Sequence, residues 1–492
     1  MRKITSVAAV VALAVLAPAG AQAAAPWAAP TAFGTPADYV QSPHIAFAAN
    51  GNGLAGWDGV TSPAGGGVLV QPPAGNDGIA GSVLRLTQGD GFGELRTLPD
   101  TLVAGPELAA DGRGLVLRST ISGADPNGNR KTRVTWSNVD AAGALGTPHA
   151  LFAATLTDAP TLAVDARGDA LVGWTEYAPP KSKRRLWGSL TLKAAWRPAG
   201  SKSFNKPRTL FVTQSLDYDH SGQVAVTLNA SGRALIAYGD AHDTHHGTST
   251  KVYAWAAPRA GAAFGPTLTA GTHQGVVRTA AALDARGRAT VVWGSQDGGE
   301  EANKPYTVQA ASLAPGSRKF GAAQTLDDGS GAIERSMGTL ALAIDGGGRV
   351  VAAWSGVRRD PSAKFGIVFP VQSATSDPAT GRFGAVQQLA PDGAVGGVAT
   401  RPQDGAAVVT WAHVVQYQMT DEAMAALRPA GAAAFGAPEA LAEPDDAQPP
   451  TVAFNPASGA PVAAWSARPG GHDPFYGLQR DAVLRVASRA AP

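Results

Sequence analysis

The chain has 492 residues, no cysteine, and 40 Lys and Arg against 38 Asp and Glu. Without cysteine there are no disulfides, no thiol catalysis and no Cys-ligated zinc, so stability must come from packing, which a chain of this length can supply. The near-neutral balance excludes the basic excess of a nucleic-acid binder, and the 60 Gly and 36 Pro, spread along the chain, suit a turn-rich all-β protein.

The first 23 residues read as a secretory signal peptide. Arg2 and Lys3 form a positive start, Ile4 to Leu16 an apolar core, and Ala21-Gln22-Ala23 a small-x-small cleavage site. The protein is therefore expected to be secreted or extracytoplasmic after cleavage near Ala23. Losing Arg2 and Lys3 leaves 38 basic against 38 acidic residues. No later segment is long and apolar enough for a membrane anchor. Residues 24–32 are expected to be a short linker and 33–489 a single domain.

A repeat fills that domain. Apolar run, Gly turn, apolar run and aromatic recur in "VDARGDALVGW", "LNASGRALIAY", "LDARGRATVVW" and "IDGGGRVVAAW". Aligned on the last residue, the units are anchored at Trp57, Leu117, Trp174, Tyr238, Trp293, Trp354, Trp411 and Trp465, 54 to 64 residues apart. Each unit carries four strand signals, here A to D. Strand A resembles "PTLAVD", a Gly turn leads to B, a variable loop leads to C, and D runs from Phe to Leu: "FNKPRTL", "FGAAQTL", "FGAVQQL", "FGAPEAL". Short alternating strands with Gly turns, four per unit, predict an all-β chain folded as a β-propeller of eight four-stranded blades. The last unit lacks D, and the N-terminal Phe33 to Val40 is an orphan D-like segment, so it is expected to pair with the C-terminal blade and close the ring. A seven-bladed ring with an insertion at 100–155 is the alternative, because Leu117 is the one non-aromatic anchor.

The repeat resembles those of secreted bacterial propellers such as the NHL-type and sialidase-like groups. Its turn pattern is D-x-x-G, as in Asp284 to Gly287, between the first two strands of the unit. Repetition in every unit assigns these Asp residues to turns and the Trp residues to packing, not to a metal series or sugar platforms.

In such a meander the long, dissimilar B–C loops share one face with the D–A loops, and variable loops on one face mark the binding face. Eight of the nine His fall in or beside these loops; His149 falls in a D strand. The densest group is in the fourth unit: Asp217, Asp219 and His220 in the D–A loop, with Asp240, His242, Asp243, His245 and His246 in the B–C loop. Imidazoles with carboxylates suit Zn²⁺ or a similar divalent metal, and His242, Asp243, His245, His246 and His220 are the candidate ligands. A polar solvated loop is the plainer alternative. "DPNGN", 125–129, begins like a calcium loop, but Arg130 stands where such a loop needs Gly. "KSKRR", 181–185, reads as a solvated loop tip.

Acids on the loop face are Asp58, Glu176, Asp297, Glu300, Glu301, Glu334 and Asp473; arginines are Arg278, Arg335, Arg358 and Arg359. The leading expectation is a non-catalytic scaffold binding an extracellular protein, polysaccharide or envelope component. The alternatives are a sialidase-like glycoside hydrolase or polysaccharide lyase, with Arg278 and Arg335 converging on a carboxylate at the channel mouth, or a metal-dependent site in the fourth unit.

Overall fold

The structure is a computed structural model that describes residues 26–37, 39–60, 79–86, 92–97, 101–124, 130–179, 188–215, 221–244, 247–273, 276–296, 306–329, 332–363, 366–413, 422–443, 447–467 and 482–490. Among them there is no helix, and every strand pairing is antiparallel. The described strands form eight separate sheets, numbered I to VIII here by the chain order of their innermost strands: Tyr39–Phe47, Thr101–Leu108, Thr161–Val164, Ser221–Leu228, Val276–Leu283, Ala332–Ile344, Ala394–Thr400 and Thr451–Phe454. Sheet III is representative: Thr161–Val164, Ala170–Ala178, Gly188–Arg197 and Arg208–Ser215 pair in that order. Among the described residues, sheet VI alone carries an extra short strand, Ile367–Val368.

The turn between the first two strands follows from one side chain. Asp165 Oδ1 accepts the backbone N–H groups of Arg167 and Asp169, both at 2.9 Å, which fixes an Asx turn. Asp284 and Asp345 accept the N–H of Arg288 and Arg349 in the same way, and Asn229 that of Arg233. The carbonyl of each accepts from a glycine three residues on, and that glycine sits at positive φ, 91° at Gly168 and 90° at Gly287. These acids are 3–5% exposed and belong to the turns.

The anchors fill the spaces between sheets. Trp174, Trp293, Trp354 and Trp465 are fully buried, as are Tyr238 and Leu117. Leu117 thus occupies the same kind of position as the aromatics, and sheet II forms around it: Thr101–Leu108, Gly114–Ala124, Arg130–Val139 and His149–Ala154. Each buried cluster joins consecutive sheets. Trp354 of sheet VI packs with Tyr306, Val308 and Leu326 of sheet V, and Trp411 of sheet VII with Val371 and Leu389 of sheet VI. Trp57 of sheet I packs with Leu484 and Val486 of sheet VIII. First strands also pack on first strands, from Tyr39–Phe47 round to Thr451–Phe454, which in turn contacts Tyr39–Phe47. The arrangement is propeller-like, with small residues such as Ala280, Ala281 and Ala282 where first strands crowd together.

The N-terminal strand Thr31–Ala37 pairs with Ala482–Ser488, Phe33 opposite Leu484, and so completes sheet VIII from the other end of the chain. Trp27, in the stretch expected to be a linker, is 9% exposed and bridges to Arg489.

Two boundaries differ from expectation. The fourth strands start later than their Phe: Gln324–Asp327, Gln387–Ala390 and Glu439–Ala440. Phe320, Phe383 and Phe435 are instead buried plugs in the preceding connection. The Gln heading the strand explains the conserved spacing within the repeat. Gln324 donates to the Phe383 carbonyl at 2.8 Å and accepts its N–H at 3.0 Å; Gln387 does the same for Phe435. These two fourth strands thereby grip the next sheet's plug. The second departure is in sheet IV, where the expected B–C loop is mostly strand. Ala234–Thr244 and Gly247–Ala257 form one long hairpin, with His242 opposite Ser249 and Asp243 opposite Thr248. The Thr-rich returning strand favours extended backbone, so pairing continues far beyond Tyr238.

Candidate functional site

Of the fourth-unit group, Asp217, Asp219, His220, His245 and His246 lie outside the described residues, as do the side chains of His242 and Asp243. Asp240 is described and is not a loop residue. It is 5% exposed in the hairpin, opposite both Ser221 and Lys251, and its negative charge adds to burial in pushing the Tyr253 hydroxyl up. Among the described residues no group of His, Asp and Glu is arranged to hold a metal ion. The 125–129 and 181–185 stretches, and the side chain of Arg335, also lie outside them. The Arg335 backbone falls within Ala332–Ile344, where pairing is irregular between Ala332 and Met337.

Arg278 is described, and its charge reaches a carboxyl group. It stands near the start of Val276–Leu283, opposite Gly294, with its side chain exposed. Its charge acts on Asp158, an exposed residue in the connection that leads into sheet III. Sheet IV separates these two elements, so they approach each other where first strands converge. Surrounding protein holds the Asp158 carboxyl above the ordinary carboxylate range, while the Ala159 N–H and Arg278 pull it down. Beside it the Thr157 and Thr175 hydroxyls share a hydrogen bond, which ties this connection to the second strand of sheet III. The result is a carboxyl and a guanidinium, both exposed, the first in a connection tied to sheet III and the second on a strand of sheet V.

Other polar groups on this face are committed to the fold. Glu176 accepts the Trp174 indole N–H at 2.8 Å and the Lys193 ammonium at 2.6 Å. Asp327 is 3% exposed and accepts from Arg358 Nη2 at 2.7 Å on both oxygens, from the Trp354 indole at 3.1 Å, from the Tyr306 hydroxyl at 3.2 Å and from the Gly329 N–H at 2.9 Å. Burial first, and the Asp327 charge second, push the Tyr306 hydroxyl up to about 12. His44, beside the loops by sequence, is in the middle of Tyr39–Phe47 and bonds to Glu107 of sheet II at 2.9 Å. Burial pulls His44 down, but the charge and hydrogen bond of Glu107 outweigh it and raise the imidazole above its ordinary value.

Sequence reasoning placed Arg358 on this face but missed Tyr306, Asp327 and Asp158. Asp327 carried a signal. After the Leu of the D motif the other units have Phe211, Ala390 and Ala442, and this unit has an acid. Departure from a repeat marks a position with a local task.

The Tyr306 shift gives a pH test. Its proton is held more tightly in the folded chain, so its stabilisation is complete below pH 10 and is lost as pH rises through 12. A rise from 10.0 to about 12 corresponds to roughly 3 kcal/mol at full titration. Tyr306→Phe is expected to flatten the fall in urea midpoint between pH 10 and 12; an alkaline limb equal to the parent's would show that Tyr306 does not carry it.

No family model matches the chain, and no curated protein matches it. Solved structures that resemble it are distant. A protein of unknown function from Dyadobacter fermentans is 11% identical with TM-score 0.42, covering 95% of this chain and 98% of that one. An α-L-arabinanase from Penicillium chrysogenum is 13% identical with TM-score 0.36, over 66% and 92%. A sialidase from Streptococcus pneumoniae is 9% identical with TM-score 0.37, over 94% and 70%. Similarity at this level assigns no function.

Proposed function

We propose that the protein is exported, cleaved near Ala23, and folds as a closed eight-bladed β-propeller that binds an extracellular protein, polysaccharide or envelope component through its B–C and D–A face, without catalysis. Closure is supported by the Thr31–Ala37 pairing with Ala482–Ser488 and by the Trp57 cluster shared between sheets I and VIII. The binding role is supported by one observation: the Arg278 charge reaches the Asp158 carboxyl from an element two sheets away, and both residues are exposed. Glu176 and Asp327 are spent on Trp, Lys and Arg donors of the fold, which favours recognition over bond cleavage.

The test is a binding screen of the mature chain against envelope polysaccharides, host and plant glycans and envelope proteins, with each hit assayed for product release. Arg278→Ala and Asp158→Asn are expected to weaken the hit by about tenfold each, worth 1.4 kcal/mol. Hits that ignore both substitutions would end this reading. A second reading, an extracellular glycoside hydrolase or polysaccharide lyase, draws on the same pair, because a carboxyl held above its ordinary range beside a guanidinium suits proton transfer. Release of reducing ends or unsaturated products that disappears in Asp158→Asn would favour it.

A further inference from the structure

On the opposite face, where the A–B and C–D turns lie, sheets II and III enclose a cleft of about 520 Å³. Its wall carries Arg113, Arg167 and Arg197 with Asp111, Asn138 and Asp140. Two of the three guanidinium groups are neutralised locally. Arg113 pairs with Asp111 at 2.6 Å, and Arg167 with Asp165 at 3.1 Å and Asp169 at 2.8 Å.

The carboxylates are spent as well. Asp111 also accepts the Arg113 N–H; Asp140 accepts the N–H groups of Ala142 and Ala144; Asp165 holds its own turn; Asp169 accepts the Ala199 N–H at 2.7 Å. What remains is Arg197, the last residue of Gly188–Arg197. It lies over the Trp136 ring at 4.8 Å, and Nη2 donates to the neutral amide oxygen of Asn138 at 2.7 Å. Its Nε is buried with no acceptor, and burial alone pulls its pKa down. A half-buried cation held in place by an aromatic face and an amide, with no carboxylate paired to it among the described residues, is poised to take a counter-charge.

We propose that this cleft is an oxyanion site, in which Arg197 receives a carboxylate or phosphate group. A guanidinium presents parallel N–H donors that match the two oxygens of either group. Trp136 and Asn138 fix its plane, so little order is lost when the anion arrives. The site is separate from the Arg278 face, and either could fail without the other.

The test is calorimetric titration of the mature chain with inorganic phosphate and with acetate, at constant ionic strength set by chloride. Saturable binding of one or both is expected, and which of them binds tells phosphate from carboxylate recognition. Arg197→Met is expected to abolish it. Asn138→Asp, nearly isosteric, gives Arg197 an internal carboxylate and is expected to weaken binding at least tenfold while the melting temperature holds or rises. That variant keeps the proposal testable if Arg197→Met does not fold. Absence of saturable binding by either anion, or equal binding by the parent and Asn138→Asp, would overturn it.

Discussion

Asp327→Ala is expected to cost about 3 kcal/mol of stability, read as a lower urea midpoint at unchanged slope. The carboxylate is 3% exposed and neutralises Arg358 through both oxygens at 2.7 Å. Removing it leaves a guanidinium with no carboxylate, only the neutral Gln372 amide oxygen at 3.3 Å and the Tyr306 hydroxyl, and with an Nε that is already buried and unpartnered. The Trp354 indole keeps Gln372 at 2.9 Å, but the Tyr306 hydroxyl loses its acceptor. Breaking a buried pair costs about 3–5 kcal/mol. The lower end applies because Arg358 is 24% exposed, so water relieves part of the penalty. Since the penalty comes from a stranded charge, Arg358→Met in the Asp327→Ala background should recover at least about 1 kcal/mol. A single-variant cost below about 1 kcal/mol would mean that solvent already screens the pair. The site also explains Gly356, whose added Cβ would stand 2.1 Å from Tyr306 Cζ. The network is assembled by close approach of sheet VI to sheet V.

The repeat made the architecture readable because packing asks the same thing of every sheet. A large side chain such as Trp293 must fill the space between layers, and an Asx turn such as Asp284 to Gly287 must reverse the chain, so both recur at fixed spacing. The Asp series is turn chemistry, as repetition alone implies. Register was less readable. The D motif suggested a strand beginning at Phe, yet Phe383 is a plug whose backbone is held by Gln324 of the previous sheet, 59 residues away. Nothing local marks that distant bond. The hairpin in sheet IV was hidden differently: polar Thr, Ser and Asp read as loop, while two strands that pair with each other need no apolar face to stay extended. Function was least readable of all. Asp158 and Arg278 are 120 residues apart in the chain, and the charge of one reaches the other only because first strands converge. Composition and spacing carry no trace of that reach. Arg197 escaped for the opposite reason, since only the surrounding carboxylates and their prior partners distinguish it from any other arginine.

Trp174→Ala is expected to cost more, about 4 kcal/mol, because it removes a wedge rather than a charge. Trp174 is 0% exposed and stacks on Phe152 of sheet II at 4.1 Å with 7° between the rings. It shares one buried cluster with Leu117, Trp136 and Leu162, which span both sheets. Alanine deletes the whole indole, and the paired strands on either side are too stiff to close the gap fully. Glu176 would lose the indole N–H but keep Lys193, so little of the cost is electrostatic. Trp174→Phe keeps the stack and most of the volume, and should therefore cost well under half as much. Near-equal costs for the two variants would put the stability in the indole N–H and not in the filled volume. The consequence reaches the solvent-exposed face. Trp174 is followed by Thr175, whose hydroxyl holds Thr157, and Asp158 is the next residue along that connection. A loosened junction between sheets II and III frees this tie, so Trp174→Ala should weaken any ligand that Asp158→Asn weakens, at temperatures far below its own unfolding. Each buried cluster is shared by two consecutive sheets, which confines the damage. The Arg278 side, anchored on sheet V, should keep its own share of the binding energy.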